Sequence, residues 1–176
     1  NQFRSADGGR LTLGASLTTL QSTLPDLIAA FTRLFPNVDI RAVTGKTHEI
    51  VTLVKEKKCD VGIVASSVDA PDIVCIPLFD DHLALVLPEF HPLVHKDEIS
   101  IADLEGLPMI LFSQGTWYRV LIDELFTATA ISPNVKMEID SFEVIVRLVS
   151  VCNLAALLPQ SYLRSSIMDH NDVIIK

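Results

Sequence analysis

The chain has 176 residues, of which 49% are hydrophobic, and its 14 basic and 22 acidic side chains give a formal net charge of −8. This length suffices for one well-packed domain or for two small lobes. No apolar run approaches the ~20 residues of a membrane-spanning helix, so we expect no membrane partner. Binding of duplex DNA needs clustered basic groups, and lysines cluster only at Lys55, Lys57 and Lys58. The acidic balance therefore argues against DNA binding by this chain alone.

The cysteines and histidines give no pattern of a metal or catalytic site. Cys59, Cys75 and Cys152 lie far apart without a C-x-x-C motif, and we expect them to be buried, unpaired thiols of a reducing cytoplasm. His91 and His95 are four residues apart, but a proline lies between them, so they form no helical pair. No G-x-S-x-G elbow occurs, and no cysteine has a recognisable histidine partner. We therefore assign no metal ligand and no catalytic residue.

The first third of the chain predicts alternating strands and helices. Residues 1–10 are polar and contain a Gly-Gly pair, which is typical of a linker or tail. The predicted strands cover 11–15, 38–43 and 59–64, and the predicted helices cover 21–35 and 48–57. The third strand is almost wholly apolar, as in strands buried on both faces of a parallel sheet. This β-α-β-α-β order predicts an α/β fold with a doubly wound parallel sheet.

The remainder continues the α/β pattern. The predicted strands cover 73–79, 83–87, 109–112, 135–139, 154–158 and 173–175. The predicted helices cover 101–104, 117–127, 143–151 and 160–164, with Ser141 as the N-cap of the third. A proline-containing loop is predicted at 88–98.

Three predicted strands end in a turn rich in Ser, Thr or Gly that opens a helix. These turns contain residues 16–19, 44–47 and 113–116. Open α/β sheets bind ligands at the carboxyl ends of their strands, and the first N–H groups of a helix favour anions. Two turns fall in the first half of the chain and one in the second. Two lobes facing each other across a cleft would bring all three together.

An ordered set of segments resembles the effector-binding domain of LysR-type transcriptional regulators. The segments are LTLGAS, LPDLIAAFTRLFPNVDI, the Gly45-x-Thr47 turn, CDVGIV, LALVLPEFHPL, ISIADLEGLPMILF with Gly115-Thr116, SPNVKMEIDSFEVIVRLV and AALLP. They run in register from about residue 11 to residue 159, nearly the whole chain.

The resemblance implies a two-lobed fold like that of the type 2 periplasmic binding proteins, with mostly parallel central sheets and a ligand cleft between the lobes. After the tail at 1–10, it places lobe I at 11–82, lobe II at 83–172 and the start of a return crossing at 173–176. The family's strand and helix that return to lobe I would lie beyond residue 176.

The resemblance also implies a function. It implies a non-enzymatic domain of the bacterial cytoplasm that binds a small, anionic metabolite and needs no cofactor. The effector would control DNA binding by an upstream winged helix-turn-helix domain that is not part of this chain. The family further implies a homodimer of this domain and a tetramer of the full-length protein. The alternative is a solute-binding receptor or a small enzyme on the same fold.

The family's pocket positions, carried over by the resemblance, fall on the same three turns. They are Ser16, Leu17, Thr18, Lys46, Thr47, Ser113, Gln114, Gly115 and Thr116. Lys46 either pairs with an anionic effector or is an exposed surface lysine. The hydroxyls of Ser16, Thr18 and Thr47 either contact the ligand or cap helices.

Three further candidates lie beside or beyond these turns. Arg119 is either an anion partner of the effector or the ion-pair partner of Asp123, four residues away. Trp117 either closes over the ligand or has a core or interface role. Asn153 lies in the segment Cys-Asn-Leu at 152–154, where the family usually has Gly-x-Gly.

Overall fold

The computed structural model describes residues 8–163 and 173–176. The chain divides into two compact units, unit 1 from Asn1 to Phe79 and unit 2 from Asp80 to Lys176. Each unit combines a β-sheet with helices, so the predicted α/β class is confirmed.

Unit 1 is built on a three-stranded parallel sheet with strand order β2-β1-β3. Its strands are β1 (Gly9–Ser16), β2 (Val38–Gly45) and β3 (Val61–Ile63), and its helices are α1 (Leu17–Ser22), α2 (Leu24–Leu34) and α3 (Thr47–Lys55). The register places Ser16 opposite Gly45 and Leu13 opposite Val61. The predicted β-α-β-α-β order and the parallel pairing are confirmed.

The core of unit 1 forms around the apolar residues of β1. Leu11, Leu13 and Ala15 are buried together with Leu24 of α2. On α3, Ile50 is only 1% exposed. A Cβ atom at Gly62 would lie 2.7 Å from Ile50 Cγ2, and one at Gly14 would lie 3.0 Å from the same atom. These two glycines therefore allow α3 to pack closely against β1 and β3.

The predicted helix at 21–35 is instead two helices, α1 and α2. Helix α1 begins directly after Ser16, so Thr18 and Thr19 are helical residues and do not belong to a turn. The break falls at Thr23, and Pro25 lies in the first turn of α2. Proline has no N–H group and is tolerated in a first turn but breaks a helix interior, which explains why α1 does not continue.

One predicted strand of unit 1 does not form, and the predicted burial of another is wrong. Residues 73–79 form no strand, and Val74 is 87% exposed. Their apolar, β-branched composition favours a strand, but among the described residues no partner strand pairs with them. Strand β3 is three residues long. Within the described residues it lies at an edge of its sheet, and Val61 is 45% exposed, so β3 is not buried on both faces.

Unit 2 contains a five-stranded mixed sheet with strand order β6-β5-β7-β4-β8. Its strands are β4 (Leu83–Pro88), β5 (Pro108–Leu111), β6 (Asn134–Glu138), β7 (Ala155–Pro159) and β8 (Val173–Ile175). Its α-helices are α4 (Trp117–Thr129), α5 (Phe142–Cys152) and α6 (Gln160–Leu163), and single 3-10 turns cover Pro92–His95 and Ile101–Leu104. Strand β5 runs parallel to β6 and β7, whereas β4 is antiparallel to β7 and β8. The predicted helix at 160–164 is confirmed to Leu163, and its last residue lies outside the described residues.

The two ends of α5 follow recognisable capping rules. The Ser141 hydroxyl accepts a hydrogen bond from the Val144 N–H, which confirms the predicted N-cap. Asn153 ends the helix with φ of 54°, in the left-handed region. Asparagine is the residue that most often replaces glycine in this conformation. Asn153 therefore ends α5 in a conformation that asparagine tolerates.

The cysteines only partly match the expectation of burial. Cys59 is buried, but Cys75 and Cys152 are exposed, so the expectation is wrong for these two. Cys75 lies in the unpaired segment 73–79, and Cys152 is the last residue of α5. Within the described ranges, no helix is long and apolar enough to cross a membrane, and no group of three or more metal-ligating side chains occurs.

Candidate functional site

The first two predicted turns lie side by side in unit 1. Strand β1 ends at Ser16, and the residue opposite Ser16 on the neighbouring parallel strand is Gly45. Lys46 and Thr47 follow Gly45 directly and open α3. Sequence-distant residues of the two turns therefore meet at the carboxyl edge of one sheet, the edge at which open α/β sheets bind ligands.

The hydroxyls after β1 are buried and bonded to each other. Ser16 and Thr19 are each 5% exposed, and Ser16 Oγ lies 2.6 Å from Thr19 Oγ1. Ser16 makes no side-chain capping bond to α1. A pair of hydroxyls shares one hydrogen, so the second hydroxyl hydrogen remains available for another acceptor. Thr18 is also buried, and Leu17 is half-buried.

The second turn adds a cation and a third hydroxyl. Lys46 is the N-cap residue of α3, and its backbone N–H donates to Glu49 Oε1 at 3.2 Å. Its side chain is exposed and forms no ion pair with the residues that the structure describes. Thr47 Oγ1 is buried and has no hydrogen-bond partner among the described residues. A buried hydroxyl without a partner is unfavourable, which marks this atom as a candidate ligand contact.

The third predicted turn lies in unit 2, between β5 and α4. Gly115 has φ of +84°, which glycine adopts at no steric cost. Thr116 Oγ1 donates to the Ser113 carbonyl at 2.9 Å and accepts from the Arg119 N–H at 3.2 Å, so this hydroxyl caps α4. Ser113 is half-buried and Gln114 is exposed.

Arg119 forms the predicted ion pair with Asp123 and further bonds within unit 2. It is 5% exposed, and its Nε donates to Asp123 Oδ1 at 2.9 Å. Its Nη1 donates to the Phe112 carbonyl at 2.9 Å and to Glu138 Oε1 at 3.0 Å. Burial lowers the pKa of Arg119, but the hydrogen bonds that it donates to the Asp123 and Glu138 carboxylates, and their negative charge, outweigh burial and hold that pKa above its ordinary value. The guanidinium thus ties α4 to β6 and to the end of β5.

Trp117 and Asn153 occupy different edges of unit 2. Trp117 is the first residue of α4, beside the third turn, and is 42% exposed. Asn153 precedes β7, which is parallel to β5. The turn from Ser113 to Thr116 follows β5. Asn153 therefore lies at the opposite edge of the sheet from this turn.

Sequence reasoning missed Tyr118. It is 6% exposed, and its Oη atom has no hydrogen-bond partner within the described ranges. Burial, and next the Asp81 carboxylate, raise the pKa of Tyr118 far above its ordinary value, so the phenol is neutral. Its ring centroid lies 5.8 Å from that of Phe142. An aromatic residue in the apolar stripe of a helix gives no signal in the sequence that its hydroxyl lacks a partner.

His91 has a structural role at the start of a 3-10 turn. It is 8% exposed, and its Nδ1 accepts a hydrogen bond from the Leu93 N–H at 3.1 Å. Burial lowers the pKa of His91. The neutral imidazole is therefore the form that this position favours.

An open groove of about 610 Å³ lies along α4 and β6 in unit 2. Its lining includes Asp123, Phe126, Ile131 and Val135, and none of the predicted site residues. This groove is therefore separate from the three turns.

Comparison with known proteins identifies the family. The family described as LysR substrate binding domain matches residues 4–176. The chain belongs to this family. It is 30% identical over 161 residues to the HTH-type transcriptional regulator GltR of Bacillus subtilis (strain 168), covering 92% of this chain and 53% of GltR. The chain thus spans about half the length of the curated relatives that it matches.

Solved structures of LysR-type domains share the fold. The cofactor-binding domain of the Cbl transcriptional regulator matches with a TM-score of 0.83 and 26% identity, over 98% of this chain and 76% of that one. The effector-binding domain of QuiR in complex with shikimate matches with a TM-score of 0.76 and 29% identity, over 96% and 80%. The fold is therefore that of the LysR effector-binding domains, the type 2 periplasmic-binding-protein-like fold.

Proposed function

We propose that this LysR-type domain is the effector sensor of a bacterial, cytoplasmic transcriptional regulator. In the full-length protein it controls DNA binding by an upstream winged helix-turn-helix domain. GltR and Cbl are both transcriptional regulators, which supports a regulator over a solute receptor or an enzyme. We assign the chain no catalytic role.

The observation that carries the proposed site is the pairing of Ser16 with Gly45 at the carboxyl edge of unit 1. Ser16, whose hydroxyl pair with Thr19 retains one free hydrogen, thus lies beside the strand end that leads directly to Lys46 and Thr47. The Thr47 hydroxyl has no partner among the described residues. These groups suit a small anion such as a carboxylate, because charged acceptors form the strongest hydrogen bonds with such donors. QuiR, with shikimate bound, offers a precedent for an organic acid in a domain of this fold.

We further propose that Ser113, Gln114 and Gly115 of unit 2 contact the same effector. A ligand held by residues of both units favours one arrangement of the units over others, and it shifts the equilibrium by its difference in affinity. This shift would be relayed to the attached DNA-binding domains.

Calorimetric titration tests the unit 1 half of the site. The probes are shikimate, malate, 2-oxoglutarate, glutamate and sulfate, first ranked by thermal shift because a ligand of the folded state raises stability. Ser16→Ala and Lys46→Met should each weaken binding by roughly tenfold or more, since a hydrogen bond to a charged group contributes ~1.5–3 kcal/mol. Lys55→Ala, at the far end of α3, is the matched control and should bind normally. Unchanged affinity in both site variants would sink the assignment.

A homodimer of this domain, and a tetramer of the full-length regulator, complete the proposal. Helices α2 and α4 expose large apolar side chains that a partner would cover. They are Leu27, Leu34, Trp117, Val120 and Leu121. Sedimentation velocity should give a dimer of the isolated domain at micromolar concentration, and a monomer throughout would contradict it.

Gel-shift assays with the operator of the parent regulator should show no specific DNA binding by this chain alone.

A further inference from the structure

Four aromatic rings gather at one edge of the unit 2 sheet. Phe112 directly follows β5, Phe142 lies after β6, and Tyr162 lies after β7. The Phe142 centroid is 5.0 Å from that of Phe112, 5.2 Å from that of Tyr162 and 5.8 Å from that of Tyr118. These aromatic rings therefore form an apolar floor at the common carboxyl edge of three parallel strands, where ligands of open α/β sheets bind.

The Tyr118 hydroxyl is the anomaly in this floor. The residue is 94% buried, since 6% of its surface is exposed, and its Oη meets no hydrogen-bond partner among the described residues. A buried hydroxyl without a partner destabilises a fold, and phenylalanine would fill the same space without that penalty. A tyrosine at this position therefore offers a hydrogen bond to a partner other than the described residues, such as a bound ligand.

The surroundings of Tyr118 restrict the chemistry of that partner. The Asp81 carboxylate is near enough to act electrostatically on Tyr118. This carboxylate accepts hydrogen bonds from the Ser161 N–H at 3.1 Å, from Ser161 Oγ at 2.5 Å and from the His82 N–H at 2.9 Å. A carboxylate at this position disfavours a second anion beside Tyr118, because like charges repel. An uncharged oxygen, such as a hydroxyl or a ketone, suits Tyr118.

We propose that the Tyr118 hydroxyl is a specificity-determining contact for an uncharged hydroxyl or carbonyl oxygen of the effector. The inference rests on the proposed function and narrows it to a hydroxy or oxo organic acid, whose carboxylate binds elsewhere. Oη is closed to solvent in this structure. The contact therefore forms with local movement of neighbouring side chains, which is common on binding.

Matched pairs of acids test this proposal by calorimetry. Malate differs from succinate by one hydroxyl, and 2-oxoglutarate differs from glutarate by one carbonyl. The wild-type domain should prefer the oxygenated member of at least one pair by roughly three- to tenfold, the contribution of one neutral hydrogen bond. Tyr118→Phe should abolish this preference. Ser16→Ala should weaken both members of the pair equally and leave their ratio unchanged.

Thermal unfolding of the ligand-free variant is a second readout. Tyr118→Phe should unfold at the wild-type temperature or above it, because removal of the hydroxyl breaks no hydrogen bond to the described residues. A clear decrease would show that the hydroxyl already has a partner in the free protein and would overturn the proposal. The inference is overturned if Tyr118→Phe still prefers the oxygenated acid. It is also overturned if the wild type binds the acids through Ser16 but shows no preference for the oxygenated one. Either result leaves the proposed function intact. Binding of none of the acids overturns both.

Discussion

The close packing of α3 on the unit 1 sheet makes Gly62→Ala an informative substitution. The new methyl group would lie 2.7 Å from Ile50 Cγ2 and 3.1 Å from Val54 Cγ2, whereas carbon atoms prefer roughly 3.5–4.0 Å. Ile50 is 1% exposed and has little room to move. Overpacking of this kind lowers the free energy of unfolding by about 1–3 kcal/mol. Alanine also lowers the conformational entropy of the unfolded chain, which raises the free energy of unfolding by ~0.4–1 kcal/mol. We expect a net loss of about 1–2 kcal/mol.

Urea unfolding followed by circular dichroism measures this loss. For a chain of this size it corresponds to a Tm lower by about 2–8 °C. Gly45→Ala is the matched control, because its methyl group would meet Glu49 Cβ at an ordinary 3.4 Å, and its stability should change by less than ~0.5 kcal/mol. Ile50→Leu removes Cγ2 at nearly constant volume, so the double variant should lose less than the sum of the two single variants. Strict additivity, or a neutral Gly62→Ala, would refute the packing argument.

Two further predictions concern charged groups. Arg119→Leu should lower the free energy of unfolding by about 2–4 kcal/mol in urea titrations, because it leaves the buried Phe112 carbonyl without its donor. Arg147→Ala removes an exposed ion pair with Glu143 and, as the control, should change stability by less than ~0.5 kcal/mol. His91 has a pKa below its ordinary 6.5 in the folded state, so the unfolded chain binds the proton more readily. The wild type should therefore lose stability as the pH falls below about 6.5, whereas His91→Asn, whose side-chain oxygen can accept the same Leu93 N–H, should lose less. Identical pH profiles of the two proteins would contradict this role.

The sequence predicted the features that depend on local pattern. Parallel strands joined by helices follow from periodicity, and the ion pair between Arg119 and Asp123 follows from their spacing of four residues. The Glu138 contact of the same guanidinium does not, because it joins residues 19 apart through tertiary packing.

The predictions that failed did so for different physical reasons. Residues 73–79 have the composition of a strand, but a strand forms only where an open sheet edge receives it. Ser16 has the signature of a helix cap, yet its hydroxyl bonds to Thr19 instead. Tyr118 looks like ordinary core, and only the three-dimensional environment reveals that its hydroxyl lacks a partner.

The strand order of unit 2 has a consequence for biosynthesis. Of the described strands of this sheet, β4 is the first to leave the ribosome, yet its described partners are β7 and β8, near residues 155–175. Translation at ~5–20 residues per second separates β4 from β8 by roughly 4–17 seconds. Among the described residues, the strand pairs of unit 1, in contrast, fall between Gly9 and Ile63. We expect the nascent chain to form these unit 1 pairs before β4 pairs with β7 and β8.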